Sequence, residues 1–437
     1  MDWLVLLIII LVGLLLLMMI KVPVSFAFLA VNIVAAFYLW NGQQGLMLLV
    51  SSIKDSLTAF SLLPIPLFIL MGEIMFRSGL ANKMIGALDK LFGKIPGRLS
   101  LLAVGGGTLL STLTASSIST TAMLGSTLIP EMQKKKYDKH IAMGPILASG
   151  GLAIMIPPSA LGVLLASLAK VSVGQFLIAI IIPGILMALM FFLYIIVISM
   201  LRPNLAPTYD VERIPLTEKL RGIAIYILPL STLIILVIGS IFLGIASPTE
   251  SAAMGAFGSL LLSLFYRELT MKVLKKSVMA TVKLTTMILM IVAGSTIFAQ
   301  ILSFSGIARN LVSLVEGLVF PSIVIIMIML LIVLFMGTIM ESLSMMMITV
   351  PIYIPIAAAL DIDILWFSVL LLLTIEIGQI TPPFGVGLFV MKGVVPKNIT
   401  MLDVYKSAVP FIIILIVLLF ILVQFPILST WLPNLMN

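Results

Sequence analysis

The chain contains no cysteine, one histidine and few charged side chains, and each shortage excludes a class of function. Without cysteine, thiol catalysis and disulfide frameworks are excluded, and His140 alone provides no histidine cluster for a metal. Charged residues make up 10% of the 437 positions, whereas soluble domains carry about 25%. The composition argues against a soluble protein, and an intramembrane enzyme would lack both a cysteine and a buried histidine–acid pair.

Long apolar runs dominate the chain, and 62% of its residues are hydrophobic. A helix that spans a bilayer needs roughly 20 such residues. Suitable runs occur near 3–20, 22–40, 60–76, 175–201, 222–246, 279–302 and 409–427. The first run lacks a basic flank and a small-residue cleavage site, so we expect a retained helix and not a signal peptide. The sequence predicts an all-α polytopic membrane protein.

The net charge of +8 comes from basic residues that lie between the apolar runs. No basic face with interleaved aromatic residues is present, so nucleic acid is not an expected partner. Orientation of the spans in the lipid bilayer by the positive-inside rule explains the charge instead.

An internal repeat joins residues 225 positions apart in the two halves of the chain. The matched pairs are Pro157-Pro158 with Pro382-Pro383, Ser117 with Ser342, Ser119 with Ser344, Pro130 with Pro355, and Gly162 with Gly387. Repeats whose corresponding hydrophobic segments are interrupted by glycine and proline indicate a secondary transporter with its binding site at the interruptions.

The segment 99–130 is too long for one span and too short for two full crossings, and 319–358 is its counterpart in the second half of the chain. In the first, 111–121 carries eight hydroxyl side chains in eleven positions. Two re-entrant helical hairpins explain both features, since polar backbone at membrane depth is tolerated where it lines a polar cavity. The alternative is a single helix whose Ser and Thr side chains pack against neighbouring helices. The second tip is expected at 337–344.

Charge predicts that the two hairpins face opposite ways. Basic residues flank the first hairpin, whereas the second has only Arg309 before it and acids after it. A complete trace leaves both termini outside and puts every Lys and Arg on the cytoplasmic side except Lys54, Lys170 and Arg309. In this trace 251–266 crosses inward, and 82–97 and 267–278 form basic amphipathic helices on the cytoplasmic surface.

The spans 141–169 and 365–391 each contain a Pro-Pro pair near the centre. Proline lacks the backbone donor and restricts the preceding residue, so the pair unwinds a helix locally. Carbonyls freed at the break, with hydroxyls from the facing hairpin tip, would form a sodium site in each repeat. The alternative is a structural kink without a ligand.

Intramembrane acids are few, and ionisable groups at depth indicate function by default. Glu341 and Glu376 lie beside the second tip and the second break in the sequence, where they either titrate or assist cation binding, or serve as hydrogen-bonded structural acids. Glu73 and Glu250 lie nearer helix ends, which favours structural roles.

Five segments resemble the large membrane subunit (M subunit) of TRAP transporters, the tripartite ATP-independent periplasmic transporters of the ion transporter superfamily. They match in order between about 60 and 395 and are 68–80, 125–132, 156–159, 244–250 and 378–390. The resemblance implies sodium-coupled import of an organic acid anion by an elevator mechanism, with about two Na⁺ as coupling ions, no covalent cofactor and no enzymatic activity. It also implies a bacterial or archaeal inner-membrane location, a small four-helix membrane subunit as a separate partner, and a periplasmic substrate-binding protein.

The resemblance also assigns candidate site residues at the tips and breaks. Sodium ligands fall on Thr114, Ser117, Ala153, Ile156 and Pro157 in the first repeat and on Gly337, Gly378, Thr381 and Phe384 in the second. Candidate substrate contacts are Ser116, Ser119, Thr120, Ser159, Ser342, Pro382 and Gly385. Relatives often have glycine in place of Ala115 and Ala153 and proline in place of Ser342, which leaves the substrate preference open among sialic acid, C4-dicarboxylates, other sugar acids and sulfonates.

The expected organisation alternates scaffold and transport segments. Residues 1–98, 171–318 and 396–437 supply scaffold and connecting helices, and 99–170 and 319–395 form the transport unit. A second hypothesis is a stand-alone carboxylate transporter or exchanger of the same superfamily, coupled to protons through Glu341 or Glu376 or to sodium.

Overall fold

The computed structural model describes residues 2–114, 117–209 and 215–436, without the side chains of 111–114, and within these ranges the chain is helical with no β-strand. The helices are α1 Trp3–Met19, α2 Val24–Leu39, α3 Gln43–Leu57, α4 Pro64–Arg77, α5 Leu80–Leu91, α6 Arg98–Thr114, α7 Ser117–Lys134, α8 Lys139–Met155, α9 Ala160–Leu168, α10 Val173–Ala179, α11 Ile181–Leu201, α12 Leu216–Gly222, α13 Leu228–Phe242, α14 Pro248–Phe265, α15 Met271–Phe304, α16 Ile307–Glu316, α17 Ser322–Gly337, α18 Ser342–Ala359, α19 Ile364–Ile380, α20 Val386–Val394, α21 Met401–Gln424 and α22 Ile427–Thr430.

Six helical segments of the described chain are long and apolar enough to cross a membrane, and α8 with α9 adds a span bent by 48°. The six are Phe60–Arg77, Val173–Leu201, Leu216–Phe242, Met271–Phe304, Ser342–Ala359 and Met401–Gln424. Shorter apolar helices include α1, α2, α17 and α19. The prediction of an all-α polytopic membrane protein is confirmed.

The helices α8 and α19 form the centre of the molecule. Every residue is buried from 141 to 155 and from 366 to 380, two stretches that are themselves 225 positions apart. Helices of the surrounding layers therefore cover both on all sides, which is typical of helices that are apolar all round. The repeat detected in the sequence thus corresponds to the two most enclosed helices.

The long helix α15 packs against α2 through a buried polar contact and an aromatic pair. Asn32 donates from Nδ2 to the Gly294 carbonyl at 2.7 Å, and the rings of Phe28 and Phe298 meet edge to face at 5.5 Å. Gly294 lies against Phe28, where a Cβ would be 3.1 Å from the phenylalanine Cβ. These contacts fix α15 beside the N-terminal helices.

The structure corrects several predicted boundaries. Residues 267–278 do not form a separate surface helix, because the helix that begins at Met271 continues without a break to Phe304. The predicted surface helix at 82–97 is α5, which ends at Leu91. Two helices, α3 and α16, were not predicted at all. The segment 99–130 contains α6 and α7, which contact each other, and residues 115–116 between them lie outside the described residues, so the first re-entrant hairpin stays a prediction.

The two repeats share an element that did not emerge when the two halves of the sequence were compared at an offset of 225 residues. Gly79 and Gly306 both have φ of +76° and both precede an amphipathic helix, α5 or α16. A left-handed conformation of this kind is accessible to glycine without steric cost. Each repeat therefore runs from a long helix through a glycine turn and a short amphipathic helix into its hairpin.

Candidate functional site

The first break separates α8 from α9 between Ile156 and Ser159. The Ile156 N–H still donates to the Leu152 carbonyl at 2.9 Å, which ends α8. Ser159 then caps α9 by accepting the Gly162 N–H at 3.0 Å. Pro157 and Pro158, joined by a cis peptide, occupy the interval and supply no N–H. The break is thus a short segment of extended backbone between two capped half-helices.

The second break separates α19 from α20 between Thr381 and Gly385, and it also contains a cis Pro-Pro bond. Thr381 donates from its hydroxyl to the Ile377 carbonyl at 2.7 Å, and its carbonyl accepts the Gly385 N–H at 3.2 Å. A Cβ on Gly385 would lie 2.5 Å from the Gln379 carbonyl oxygen. Only glycine fits here without displacing the backbone of the break.

The tip of the second hairpin, the turn between α17 and α18, rests on the second break. A Cβ on Gly337 would lie 2.6 Å from the Cα of Gly378, so the two backbones touch. Gln379 donates from Nε2 to the Met340 carbonyl at 3.1 Å and fastens the tip to α19. The structure therefore brings together Gly337, Gly378 and Thr381, three of the four predicted sodium ligands of this repeat, while the Phe384 side chain is 58% exposed.

The N-terminus of α7, next to the predicted tip of the first hairpin, rests on α8 in the corresponding way. A Cβ on Gly150 would lie 2.9 Å from Ser117 Oγ and 3.1 Å from the Ser117 carbonyl oxygen. Ala153 is buried one turn before the break. The Thr114 side chain and all of Ala115 and Ser116 lie outside the described residues.

Glu376 of α19 faces the first repeat and not its own hairpin. Its Oε1 lies 3.5 Å from Ser117 Oγ, and a Cβ on Gly151 would come within 2.7 Å of the same oxygen. The side chain is fully buried, and Oε2 has no hydrogen-bond partner among the described residues. The sequence placed this carboxylate beside the second break, and only the packing of α19 against α8 reveals its direction.

A cavity of about 190 Å³ lies where both tips and both breaks meet. The N-terminal residues of four helices line it: Ser117 of α7, Ala160 of α9, Ser342 of α18 and Gly387 of α20. Helix N-termini carry unpaired N–H groups and partial positive charge, and several aimed at one space favour an anion. No lysine or arginine is among the residues that line this cavity. Among the residues that line the cavity, the helix N-termini are therefore the source of partial positive charge.

Two carboxylates also line the cavity, and they differ in their surroundings. Glu73 is paired with Arg77, with 2.6 Å between Oε2 and Nε. Glu341 occupies the position before α18 and makes no side-chain capping bond there. Glu250, the other acid considered in the sequence, lies outside the cavity and forms a capping box with Ser247.

The predicted substrate contacts separate into two groups. Ser119 and Ser342 line the cavity. Thr120 and Ser159 are buried away from it, and the Ser159 hydroxyl is engaged in capping α9. Pro382 and Gly385 belong to the second break beside the cavity. Ser116 lies outside the described residues.

Sequence reasoning missed one wall of the cavity. This wall consists of apolar side chains of α4 and α15, namely Ile69, Leu284, Met287 and Ile288. Nothing distinguishes these residues from other apolar residues in a span, so no sequence signal could have selected them.

A larger cavity, of about 470 Å³, lies between α3, α9 and α15. Its lining is rich in serine, with Ser56, Ser167 and Ser303 among the members. Among the described residues it contains none from the second hairpin tip or from either break, and its α9 residues, Ser167 and Leu168, lie at the C-terminal end of that helix. The helix N-termini that surround the smaller cavity are therefore absent from its lining. The smaller cavity is the candidate site on these grounds.

Comparison with known proteins identifies the family of the chain and several of its relatives. Residues 11–428 match the protein family described as "Tripartite ATP-independent periplasmic transporter, DctM component". The C4-dicarboxylate TRAP transporter large permease protein DctM of Pseudomonas aeruginosa is 32% identical over 378 residues, which cover 86% of each chain. The sialic acid TRAP transporter permease protein SiaT of Haemophilus influenzae is 30% identical over 97% of this chain and 67% of its own.

A solved structure shares the architecture at low sequence identity. The crystal structure of the Alcanivorax borkumensis YdaH transporter superposes with a TM-score of 0.65 and 15% identity, covering 89% of each chain. At this identity the similarity establishes the fold alone.

Proposed function

The chain belongs to the family of DctM components of tripartite ATP-independent periplasmic transporters, and from this premise we propose that it imports an organic acid anion in symport with sodium. In this role it is the large membrane subunit, and its partners are a small four-helix membrane subunit and a periplasmic substrate-binding protein. The relatives that transport C4-dicarboxylates and sialic acid, according to their names, support the substrate class.

The observation that carries the proposal is the convergence of four helix N-termini on one cavity. An anion held there receives backbone N–H groups from both repeats without a buried cationic side chain. Ser119 and Ser342 supply hydroxyl donors from the two tips. The carboxylate group of the substrate is therefore the part that this site recognises.

The breaks support sodium as the coupling ion. Each interrupts a helix close to a hairpin tip, and carbonyl oxygens freed at such a break are hard ligands that suit Na⁺. In the first repeat the ligands are the Ser117 and Thr114 hydroxyls with carbonyls at Ala153, Ile156 and Pro157. In the second they are carbonyls at Gly337, Gly378 and Phe384 with the Thr381 hydroxyl.

Transport proceeds in this proposal by an elevator movement in the inner membrane. Residues 99–170 and 319–395 carry the site past the scaffold formed by the remaining helices, with both termini on the periplasmic side. Movement of one unit of an inverted-repeat protein against the other is a general route to alternating access.

Uptake by proteoliposomes tests the proposal. With this chain and its small partner in the membrane, an inward sodium gradient should drive accumulation only when liganded binding protein is added outside. Replacing sodium by choline, or omitting the binding protein, should reduce uptake to the level of empty vesicles.

A stand-alone proton-coupled exchanger is the second candidate, and it is supported by two carboxylates: Glu341, which lines the cavity, and Glu376, which lies near Ser117. Uptake driven equally well by a proton gradient in sodium-free buffer, without a binding protein, would establish that function in place of symport. In that case Glu341→Gln or Glu376→Gln should abolish coupling.

A further inference from the structure

The Glu376 carboxylate is the most poorly compensated polar group near the candidate site. It is fully buried, and Oε2 has no partner within the described part of the chain. Its other oxygen has one hydroxyl at 3.5 Å, beyond the usual hydrogen-bond range of about 2.5–3.0 Å for such a pair. Burying an ionised carboxylate costs several kcal/mol unless a positive group balances it. One long hydroxyl contact does not provide that balance.

Within the described part of the chain, the surroundings of this carboxylate supply oxygen atoms but no basic side chain. The Ser117 hydroxyl and carbonyl lie on the first tip beside Gly150. Thr121 Oγ1 also contacts the Gly150 position, one helical turn along α7. The Met187 side chain of α11 also packs against the Gly151 position, where a Cβ would lie 3.0 Å from its terminal methyl carbon. A cation would find a carboxylate from one repeat and hydroxyl and carbonyl oxygens from the other.

The glycines on α8 explain how the carboxylate reaches this position. A side chain at Gly151 would collide with Glu376 Oε1 and Cγ, and one at Gly150 would collide with Ser117. The pair of glycines therefore admits both the acid and the tip to the same stretch of helix. Close approach without a Cβ is the standard structural use of glycine.

We propose that Glu376 is the anionic ligand of a sodium ion held between the two repeats, so that the second broken helix completes the cation site at the first hairpin tip. This inference rests on the proposed sodium symport and specifies one of its sites. Two of the ligands, Ser117 and Glu376, then come from opposite repeats. Binding of the ion joins the repeats at the centre of the molecule.

Such a site also explains how sodium permits movement. Without the cation, the transport unit carries an unbalanced carboxylate, whose passage through the hydrocarbon region is costly. With the cation, the pair is neutral and its desolvation is already compensated. Glu376 therefore makes occupied and empty transport units electrically different, which is a requirement for tight coupling.

Sodium binding by the purified complex of this chain and its small partner tests the site without any transport. Radioactive sodium retained at equilibrium gives the number of ions bound per chain, and thermal unfolding in increasing NaCl, with choline chloride as the ionic-strength control, gives the affinity. We expect Glu376→Gln to bind one sodium ion fewer per chain, or to bind it with an affinity at least about tenfold weaker, which corresponds to about 1.4 kcal/mol.

Two further variants keep the test decisive. Thr374→Val alters a buried polar residue on the same helix whose hydroxyl donates to the Leu370 carbonyl, and it should bind sodium like the wild type. Glu376→Asp keeps the charge but shortens the side chain, so it should retain the ion with weakened affinity even if Glu376→Gln is too unstable to purify.

The outcomes separate this site from the transport function. Unchanged sodium number and affinity in Glu376→Gln, or in Glu376→Asp where Glu376→Gln cannot be purified, would overturn the proposed site while leaving symport intact. Loss of binding in the variant, together with wild-type uptake that ignores sodium, would support the site and refute the symport. A wild-type complex that binds no sodium would overturn both.

Discussion

At the scale of single residues, the hydroxyls of Ser117 and Thr381 are the simplest test of the two sodium sites. Both side chains are partly buried, and loss of one ligand group at such a position typically costs about 1–3 kcal/mol, or roughly 5- to 150-fold in affinity. Ser117→Ala and Thr381→Ala should therefore raise the sodium concentration that gives half-maximal uptake, measured in proteoliposomes.

The control for this pair lies on the same hairpin. Thr127 of α7 is exposed and far along the helix from the tip, so Thr127→Ala should leave the sodium dependence unchanged. Normal sodium dependence in both site variants, with an altered one in Thr127→Ala, would place the sites elsewhere.

The residues that sequence could identify are those whose chemistry conflicts with an apolar span. Hydroxyls in the first tip and the Pro-Pro pairs conflict with it visibly, and the structure lines one cavity with Ser117, Ser119 and residues that flank both breaks. The direction of Glu376 could not be read in this way. A carboxylate on α19 can face either repeat, and the choice depends on how α19 is rotated against α8, where Gly151 leaves room for it. Rotation about a helix axis is a tertiary property.

At the scale of elements, the contact between the second tip and its break depends on two glycines. A methyl group on Gly378 would meet the Gly337 backbone at 2.6 Å, and backbone cannot yield as a flexible side chain can. Gly378→Ala should therefore push the tip away, destabilise the protein by about 1–3 kcal/mol and weaken sodium binding. Thermal unfolding with and without sodium measures both effects.

Gly393→Ala is the matched control for this substitution. Gly393 lies in α20, beyond the same break, and a Cβ there meets no atom within 4 Å. Replacing an unconstrained helical glycine by alanine stabilises by roughly 0.5–1 kcal/mol. An equal loss of stability in both variants would show that the close approach of Gly337 and Gly378 is not the cause of the destabilisation.

Elements were predictable where they were long and apolar, and they were missed where they were short and amphipathic. Helices α3 and α16 carry polar residues at regular intervals and fall below the length of a span. The basic cluster at 272–276 suggested a separate surface helix, but a helix that starts at Thr270 can enter the apolar region without interruption. Charged residues therefore indicate where a helix emerges from the bilayer, but they do not indicate where the helix itself begins or ends.

One further signal could have revealed α16. The triplets Ser78-Gly79-Leu80 and Ser305-Gly306-Ile307 have the same pattern and both precede an amphipathic helix. Their spacing differs slightly from the 225-residue offset of the other matches, because α5 and α16 differ in length. A search at a fixed offset therefore passes over them.

At the scale of the whole molecule, the repeat places two broken helices at the centre and surrounds them with hairpins and long helices. This arrangement predicts that the central unit moves as one body, because Glu376 and the glycine contacts join its halves. The orientation in the membrane and the sliding movement stay predictions, since both depend on a bilayer and on a second conformation.

A disulfide across the boundary between scaffold and transport unit tests the movement. Ser61 and Ser167 lie on opposite sides of this boundary, and their hydroxyl oxygens are 3.0 Å apart. The chain has no cysteine, so Ser61→Cys with Ser167→Cys introduces the only thiols. A disulfide requires closely spaced Cβ atoms, with the sulfurs about 2.05 Å apart. Side chains whose hydroxyl oxygens are in contact are close enough for this, so oxidation should join the two cysteines. Uptake should then stop, and a reductant should restore it.

A second pair distinguishes arrested movement from damage by oxidation. Ser240 and Ser251 have hydroxyl oxygens 2.8 Å apart and both belong to the predicted scaffold. The corresponding double cysteine variant should cross-link as readily and continue to transport, because no part of the scaffold moves against another. If the Ser61–Ser167 cross-link forms completely and uptake persists, the two units do not slide past each other. Access must then alternate through local opening of the hairpin tips.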